Sequence, residues 1–208
     1  MSSAFFDIME GMKKAIVFDL GNVLVTFNLQ EILDDVTNNR QIQKEIMDFY
    51  YPSLWNEYDR GMYSKQEMID LGIEKYPGYQ KEINHFMNEW IYGLVPIQST
   101  IQLIQDLKEK GYPIYILSNI PKQALDYLQT IEILQPLLKR GIYSYQHQVN
   151  KPDIKIYEIL MDTYNLAASD ILFIDDKKEN IETAKQLGMD TIHCTDPNEL
   201  ETQVRKKL

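Results

Sequence analysis

Ala15-Ile16-Val17-Phe18-Asp19-Leu20-Gly21-Asn22-Val23 decides how the rest of this chain is read. An apolar run, two of its residues β-branched, ends in an acid and a turn that carries glycine. Such a run suits a strand buried on both faces, as strands of parallel sheets are. Four further segments share the pattern, at 113–118, 141–145, 171–175 and 190–194, and with 15–19 they make five candidate strands. Helical patterns separate the later ones: 97–110 ahead of Gly111, 121–139 before Gly141, 153–164, and 178–187 ahead of Gly188. Strands alternating with helices predict an α/β fold built on a parallel sheet.

The interval 28–95 breaks that rhythm, with helix-like stretches near 29–50, 64–75 and 79–93 and no convincing strand. It reads as a helical insertion after the first strand, leaving 14–27 and 96–208 as the core. Half of the 14 Tyr residues and both Trp residues, Trp55 and Trp90, lie between Tyr50 and Tyr92. Large aromatics are usually buried, so a packed helical bundle is the first reading and a few pocket-lining rings the second.

A length of 208 residues suits one domain, or one domain with a modest insertion. Hydrophobic residues at 44% and charged residues at 25% place the chain among folded globular proteins. A net charge of −10 repels both nucleic acid and anionic membrane surfaces, so neither is an expected partner. Cys194 is the single cysteine and cannot form an internal disulfide, which points to a reducing, cytoplasmic setting. Met1 to Met12 has no signal-peptide core and reads as a loose leader before a second possible start at Met12. No run of about 18 apolar residues suggests a membrane span.

Ligands of open α/β sheets bind outside the carboxyl ends of the strands. Asp19 with Leu20-Gly21-Asn22 follows the first candidate strand, Ser118-Asn119 ends the second, Lys151 opens the helical segment at 153–164, and Asp175-Asp176 ends the fourth. Singly, each has a structural explanation: a turn closed by Asp19, a helix capped by Ser118 or Asn119, a solvated Lys151. Adjacent carboxylates near a third repel unless a cation or proton joins them, so three acids and a lysine at strand ends suggest a metal and an anion. Asp19, Asp175 and Asp176 offer oxygens that suit Mg²⁺, a hard ion that keeps waters and substrate phosphate in its shell. A carboxylate can attack phosphorus to form an aspartyl-phosphate, while Lys151, the Ser118 hydroxyl and turn amides stabilise the transferring group.

Phe18-Asp19-Leu20-Gly21-Asn22-Val23, Leu117-Ser118-Asn119, Asn150-Lys151-Pro152-Asp153, and Phe173-Ile174-Asp175-Asp176 with Asn180-Ile181 are four short motifs in fixed order. In order and spacing they resemble the motifs of the haloacid dehalogenase-like hydrolase superfamily, over about residues 14–194. The resemblance implies a Rossmann-like core with a helical cap inserted after the first motif, which agrees with the insertion at 28–95. It implies Asp19 as nucleophile, Ser118 and Asn119 as phosphoryl-binding residues alongside the Leu20-Gly21-Asn22 turn, and Lys151 as the group that neutralises Asp19 and phosphate. Mg²⁺ would be held by Asp19, the main-chain carbonyl of Gly21 and Asp176, with Asp175 direct or acting through water. The Asp-Leu-Gly-Asn-Val wording is most similar to the bacterial glucose-1-phosphate phosphatase branch. That implies a small phosphorylated metabolite as substrate, a sugar phosphate first; a monomer or homodimer is the expected assembly.

One position departs from the pattern. Most phosphatases of the superfamily place a second Asp two residues after the nucleophile, as proton carrier, and here that position is Gly21. A general acid or base contributes typically about 10²–10⁴ in rate, so turnover is expected to be slow, selective for easily departing groups, or assisted by a donor from elsewhere. Asn22 does not titrate usefully, the acids of 28–95 and His85 cannot be placed from sequence, and His147 and His193 carry no motif and read as structural. The missing acid also admits a 2-haloacid dehalogenase, which attacks carbon without a metal, but such enzymes usually replace the acidic pair that is kept here as Asp175-Asp176. Two more readings stay open: a phosphotransferase or mutase, passing phosphate to another hydroxyl, and a non-catalytic binding module of the same fold.

Overall fold

The computed structural model describes residues 14–208, so the leader expected at Met1 to Met12 lies outside the described residues. β1 (Ala15–Phe18) is buried along its whole length. It pairs in parallel with β2 (Ile114–Ser118) and β4 (Ile171–Asp175), while β3 (Gly141–Tyr143) adds beyond β2 and β5 (Asp190–His193) beyond β4. The result is a five-stranded parallel sheet of order β3-β2-β1-β4-β5. Register sets Phe18 beside both Ile116 and Ile174, which brings the carboxyl ends of the three central strands level.

Side chains alternate between two cores. Ile16, Phe18, Ile116 and Ile174 face one, and Val17, Leu117, Ile171 and Phe173 the other. Full burial of each such side chain contributes roughly 1.5–3 kcal/mol, which is why the apolar runs settle as central strands.

Between β1 and the next core helix lie α1 (Leu29–Val36), α2 (Arg40–Tyr50), α3 (Ser53–Asp59), α4 (Lys65–Lys75) and α5 (Gln80–Glu89), with no strand. The core then supplies α6 (Gln98–Glu109), α7 (Lys122–Leu128), α8 (Gln135–Leu138), α9 (Ser144–His147), α10 (Ile154–Tyr164), α11 (Lys178–Gln186) and α12 (Leu200–Arg205). The two connections to the insertion run side by side: the Thr26 N–H donates to the Val95 carbonyl and the Ile97 N–H to that of Leu24, each at 2.9 Å. Within the insertion, Trp55 and Trp90 meet edge to face at 4.8 Å among Tyr50, Tyr58 and Phe86, all buried.

Three expectations needed correction. The stretch 29–50 is two helices, because the Asn39 side chain accepts from the Gln41 and Ile42 N–H groups and caps a new start after extended Thr37. The stretch 121–139 is likewise two, and Pro136, which has no N–H to give, sits in the first turn of the second. Of 141–145 only Gly141–Tyr143 is strand, and a single helical turn follows, ending at Gln148 with φ 55°. Among the described residues no helix is long and apolar enough to cross a membrane.

Candidate active site

The level ends of β1, β2 and β4 bring Asp19, Ser118 and Asp175 together, and the segment before α10 carries Lys151 into their midst. Lys151 Nζ lies 2.9 Å from Asp19 Oδ1 and 2.6 Å from Asp175 Oδ2, and donates to the Leu117 carbonyl at 2.7 Å. Asn119 fixes that lysine: its Nδ2 donates to the Lys151 carbonyl at 2.9 Å and its Oδ1 accepts from the Lys151 N–H at 2.7 Å. The side chain of Asn119 is therefore engaged with the lysine segment, while the Ser118 hydroxyl, among the described residues, holds only a long 3.4 Å contact to the Asn119 carbonyl.

Asp175 is fully enclosed, accepting from Asn180 Nδ2 at 2.9 and 3.0 Å and from the Lys177 N–H at 2.8 Å. Asp176 is more open and accepts from Asn22 Nδ2 at 3.0 Å. Asn22 holds φ at 55°, a left-handed conformation that Asn tolerates, and its Oδ1 accepts from the Phe27 N–H at 3.1 Å, so it joins the β1 turn to the acidic pair. The Leu20 N–H donates to Asp19 Oδ1 at 2.7 Å. His193 Nε2 lies 2.9 Å from the Asp176 carbonyl oxygen.

Asp19, Asp175 and Asp176 each place an oxygen within 4.8 Å of the others. Burial raises the Asp19 carboxyl to about 7; Lys151 opposes the rise, and Asp175 and Asp176 reinforce it. Burial raises Asp176 as well, against the hydrogen bond from Asn22. Burial alone would lower the Lys151 ammonium, but Asp175 and Asp19 outweigh it and hold the group above its ordinary value. One ammonium among three carboxylates leaves surplus negative charge in a dry place, and three converging oxygen donors fit a hard divalent cation such as Mg²⁺.

A cavity of about 370 Å³ is lined by Asp19, Leu20, Gly21, Asn22, Ser118, Asn119, Lys151 and Asp176. Its remaining walls are largely apolar, with Phe27, Leu29, Met47, Trp55, Trp90, Leu94 and Leu128 among them. Trp55 and Trp90 thus satisfy both readings of the aromatics, packing the insertion and lining the cavity. A Cβ built on Gly21 would meet only Phe27 Cβ at 3.8 Å, so crowding does not demand glycine there.

Three residues that reach the site are not among the site residues expected from sequence. Asn180 stands in the fourth motif, though without a role given to it there, and Lys177 directly follows the acidic pair, which is its available signal. Asp59, the last residue of α3, lines the same cavity from the insertion, and nothing in its local sequence marks it.

Several known proteins resemble this chain. A sesquiterpene phosphatase of Aspergillus oryzae is 27% identical over 185 residues, 88% of this chain and 90% of the relative. A D-ribitol-5-phosphate phosphatase of Bacteroides thetaiotaomicron is 24% identical, over 86% of this chain and 91% of the relative. A solved enzyme of the same fold from Bacteroides thetaiotaomicron, in complex with magnesium and inorganic phosphate, superimposes with a TM-score of 0.69 at 22% identity, covering 86% of this chain and 93% of its own. The sequence model of the haloacid dehalogenase-like hydrolases matches residues 13–188, most of the chain, and the protein belongs to that hydrolase family.

Proposed function

We propose that the protein is a magnesium-dependent phosphatase of small phosphomonoesters, with the helical insertion at 28–95 serving as a cap beside the strand ends. The observation that carries this reading is the convergence of Asp19, Asp175 and Asp176 around Lys151. Asp19 attacks phosphorus, the bond to the ester oxygen breaks, and the aspartyl-phosphate so formed is hydrolysed by water. Lys151, 2.9 Å from Asp19, orients the nucleophile and offsets charge on the phosphoryl oxygens, toward which the Ser118 hydroxyl can also donate. Asp19, Asp176 and the Gly21 carbonyl would hold Mg²⁺, with Asp175 direct or through water, and there it would supply positive charge against the transferring phosphate. Asp175, hydrogen-bonded on all sides, also fixes Lys151.

The cavity walls favour an ester whose organic part is mainly apolar. Phe27, Leu29, Met47, Trp55, Leu94 and Leu128 offer surface for hydrocarbon, while Asn28, Gln30 and Asn56 are the polar groups a hydroxyl could meet on the same walls. The Aspergillus relative, a sesquiterpene phosphatase, supports that class. A sugar phosphate is the second reading, supported by the motif wording and by the ribitol-phosphate relative. A dehalogenase, by contrast, has no use for three converging carboxylates.

A single plate tests the class of reaction: alkyl, isoprenoid and sugar phosphates with and without Mg²⁺, beside a short-chain 2-haloacid. Phosphate release that needs Mg²⁺, fastest on the apolar esters, is expected. Halide release without phosphate release would overturn the reading, and preference for polyols would overturn the substrate class.

A further inference from the structure

We propose that Asp59 is the proton carrier of this site, giving the leaving alcohol its proton and later taking one from the attacking water. The proposal rests on the phosphatase reading and fills the role left open at Gly21. Asp59 ends α3 in the insertion and lines the cavity that Asp19, Lys151 and Asp176 also line. It is only 9% exposed, and among the described residues its carboxyl makes no hydrogen bond or ion pair. A largely buried carboxyl with no ion-pair partner favours its neutral form. The charged groups that reach it are Lys177, Asp19 and Lys151; burial raises it to about 8 against the pull of Lys177, with Asp19 reinforcing the rise and Lys151 opposing it. That direction favours the protonated form, the one a general acid needs.

The main chain around Asp59 is secured to the core. Ser144 Oγ donates to the Asp59 carbonyl and accepts, at 2.9 Å, from the N–H of Ile120, two residues beyond Ser118. Asn150 Nδ2 donates to the Asn56 carbonyl at 2.7 Å, and Arg60 Nε to that of Gln148 at 3.3 Å. One hydroxyl thus ties the segment carrying the acid to the loop expected to hold phosphate.

The steps balance. An Asp19 oxygen attacks phosphorus, the phosphorus–oxygen bond to the alcohol breaks, and that oxygen takes the Asp59 proton. Water then attacks the aspartyl-phosphate and yields one proton to the Asp59 carboxylate. The phosphorus–Asp19 bond breaks, inorganic phosphate leaves, and both carboxyl groups return to their starting forms.

The test compares an alkyl phosphate with 4-nitrophenyl phosphate, whose leaving group needs no proton, in saturating Mg²⁺. Phosphate release by the wild-type protein is measured first; none from any ester would overturn the phosphatase reading itself. Given release, Asp59→Asn is expected to lower kcat on the alkyl ester about 10²–10⁴-fold while forming nitrophenolate in the first turnover at nearly the wild-type rate. Asp59→Glu should recover part of the alkyl activity. Equal loss in the first turnover of both esters, or no loss on either, would overturn the proposal. Should Asp59→Asn fold poorly, the wild-type dependence on leaving group decides alone: a shallow dependence across alkyl and aryl esters is expected, and a steep one overturns the assignment.

Discussion

Lys151 is buried between Asp19, Asp175 and the Leu117 carbonyl, so its removal strands two acids in a dry site. Lys151→Met is expected to destabilise the fold by about 3–5 kcal/mol in urea unfolding and to abolish turnover; a stable, active variant would show that the lysine neutralises nothing. Asp59 acts on stability in the opposite sense. A carboxyl raised from 3.8 to about 8 binds its proton more tightly in the folded protein than in the unfolded chain, so its contribution to stability declines as pH rises through that window. Asp59→Asn should therefore match the wild type near pH 4 and become more stable than it by pH 8, by a few kcal/mol in order of magnitude. Thermal melts at both pH values check this, and the absence of any gain would mean that the carboxyl is not desolvated. Asp19, Ser118, Lys151 and the acidic pair are legible in the sequence because each sits at or near the end of an apolar run or in a motif. Asp59 is not, since only tertiary packing brings it to the cavity.

At the scale of elements, the strands are legible almost to the residue, for central strands of a parallel sheet are apolar throughout and punctuated by turns. Helix ends are less so, because the breaks after Val36 and Leu128 depend on a capping Asn39 and on Pro136 within patterns that otherwise look continuous. Helix α3 leaves no periodic trace in the sequence. Its seven residues, between Pro52 and Gly61, are too few to show one. Gly61 nonetheless governs how α3 meets the core: it holds φ at 73°, and a Cβ there would lie 2.9 Å from the Tyr145 carbonyl oxygen. Gly61→Ala is expected to cost about 1–3 kcal/mol and to slow an alkyl phosphate more than an aryl one, because the displaced turn carries Asp59 with it. Differential scanning with paired assays measures both, and an unchanged melting temperature would show that the turn relaxes freely.

For the whole molecule, the strands can be read from sequence but their order cannot, and it is the order β3-β2-β1-β4-β5 that brings Asp19, the distant Asp175-Asp176 pair and Lys151 to one place. A cation held by that cluster, as proposed, would couple metal binding to folding. Mg²⁺ at about 100 times its Kd is expected to stabilise the protein by roughly 2.7 kcal/mol, visible as a rise in Tm, and Asp176→Asn should abolish most of the rise. No Mg²⁺-dependent shift in the wild type would remove the cation from the site. The Ser144 hydroxyl, joining the Ile120 amide to the Asp59 carbonyl, has a consequence for how such a protein can diversify. Leu29, Met47 and Leu128 line the cavity but take no part in that link, so exchanging them is expected to change which alcohol fits sooner than it disturbs the register of the proposed reacting groups. Diet and chemistry can then drift independently, and a descendant can acquire a new substrate without having to reinvent the reaction.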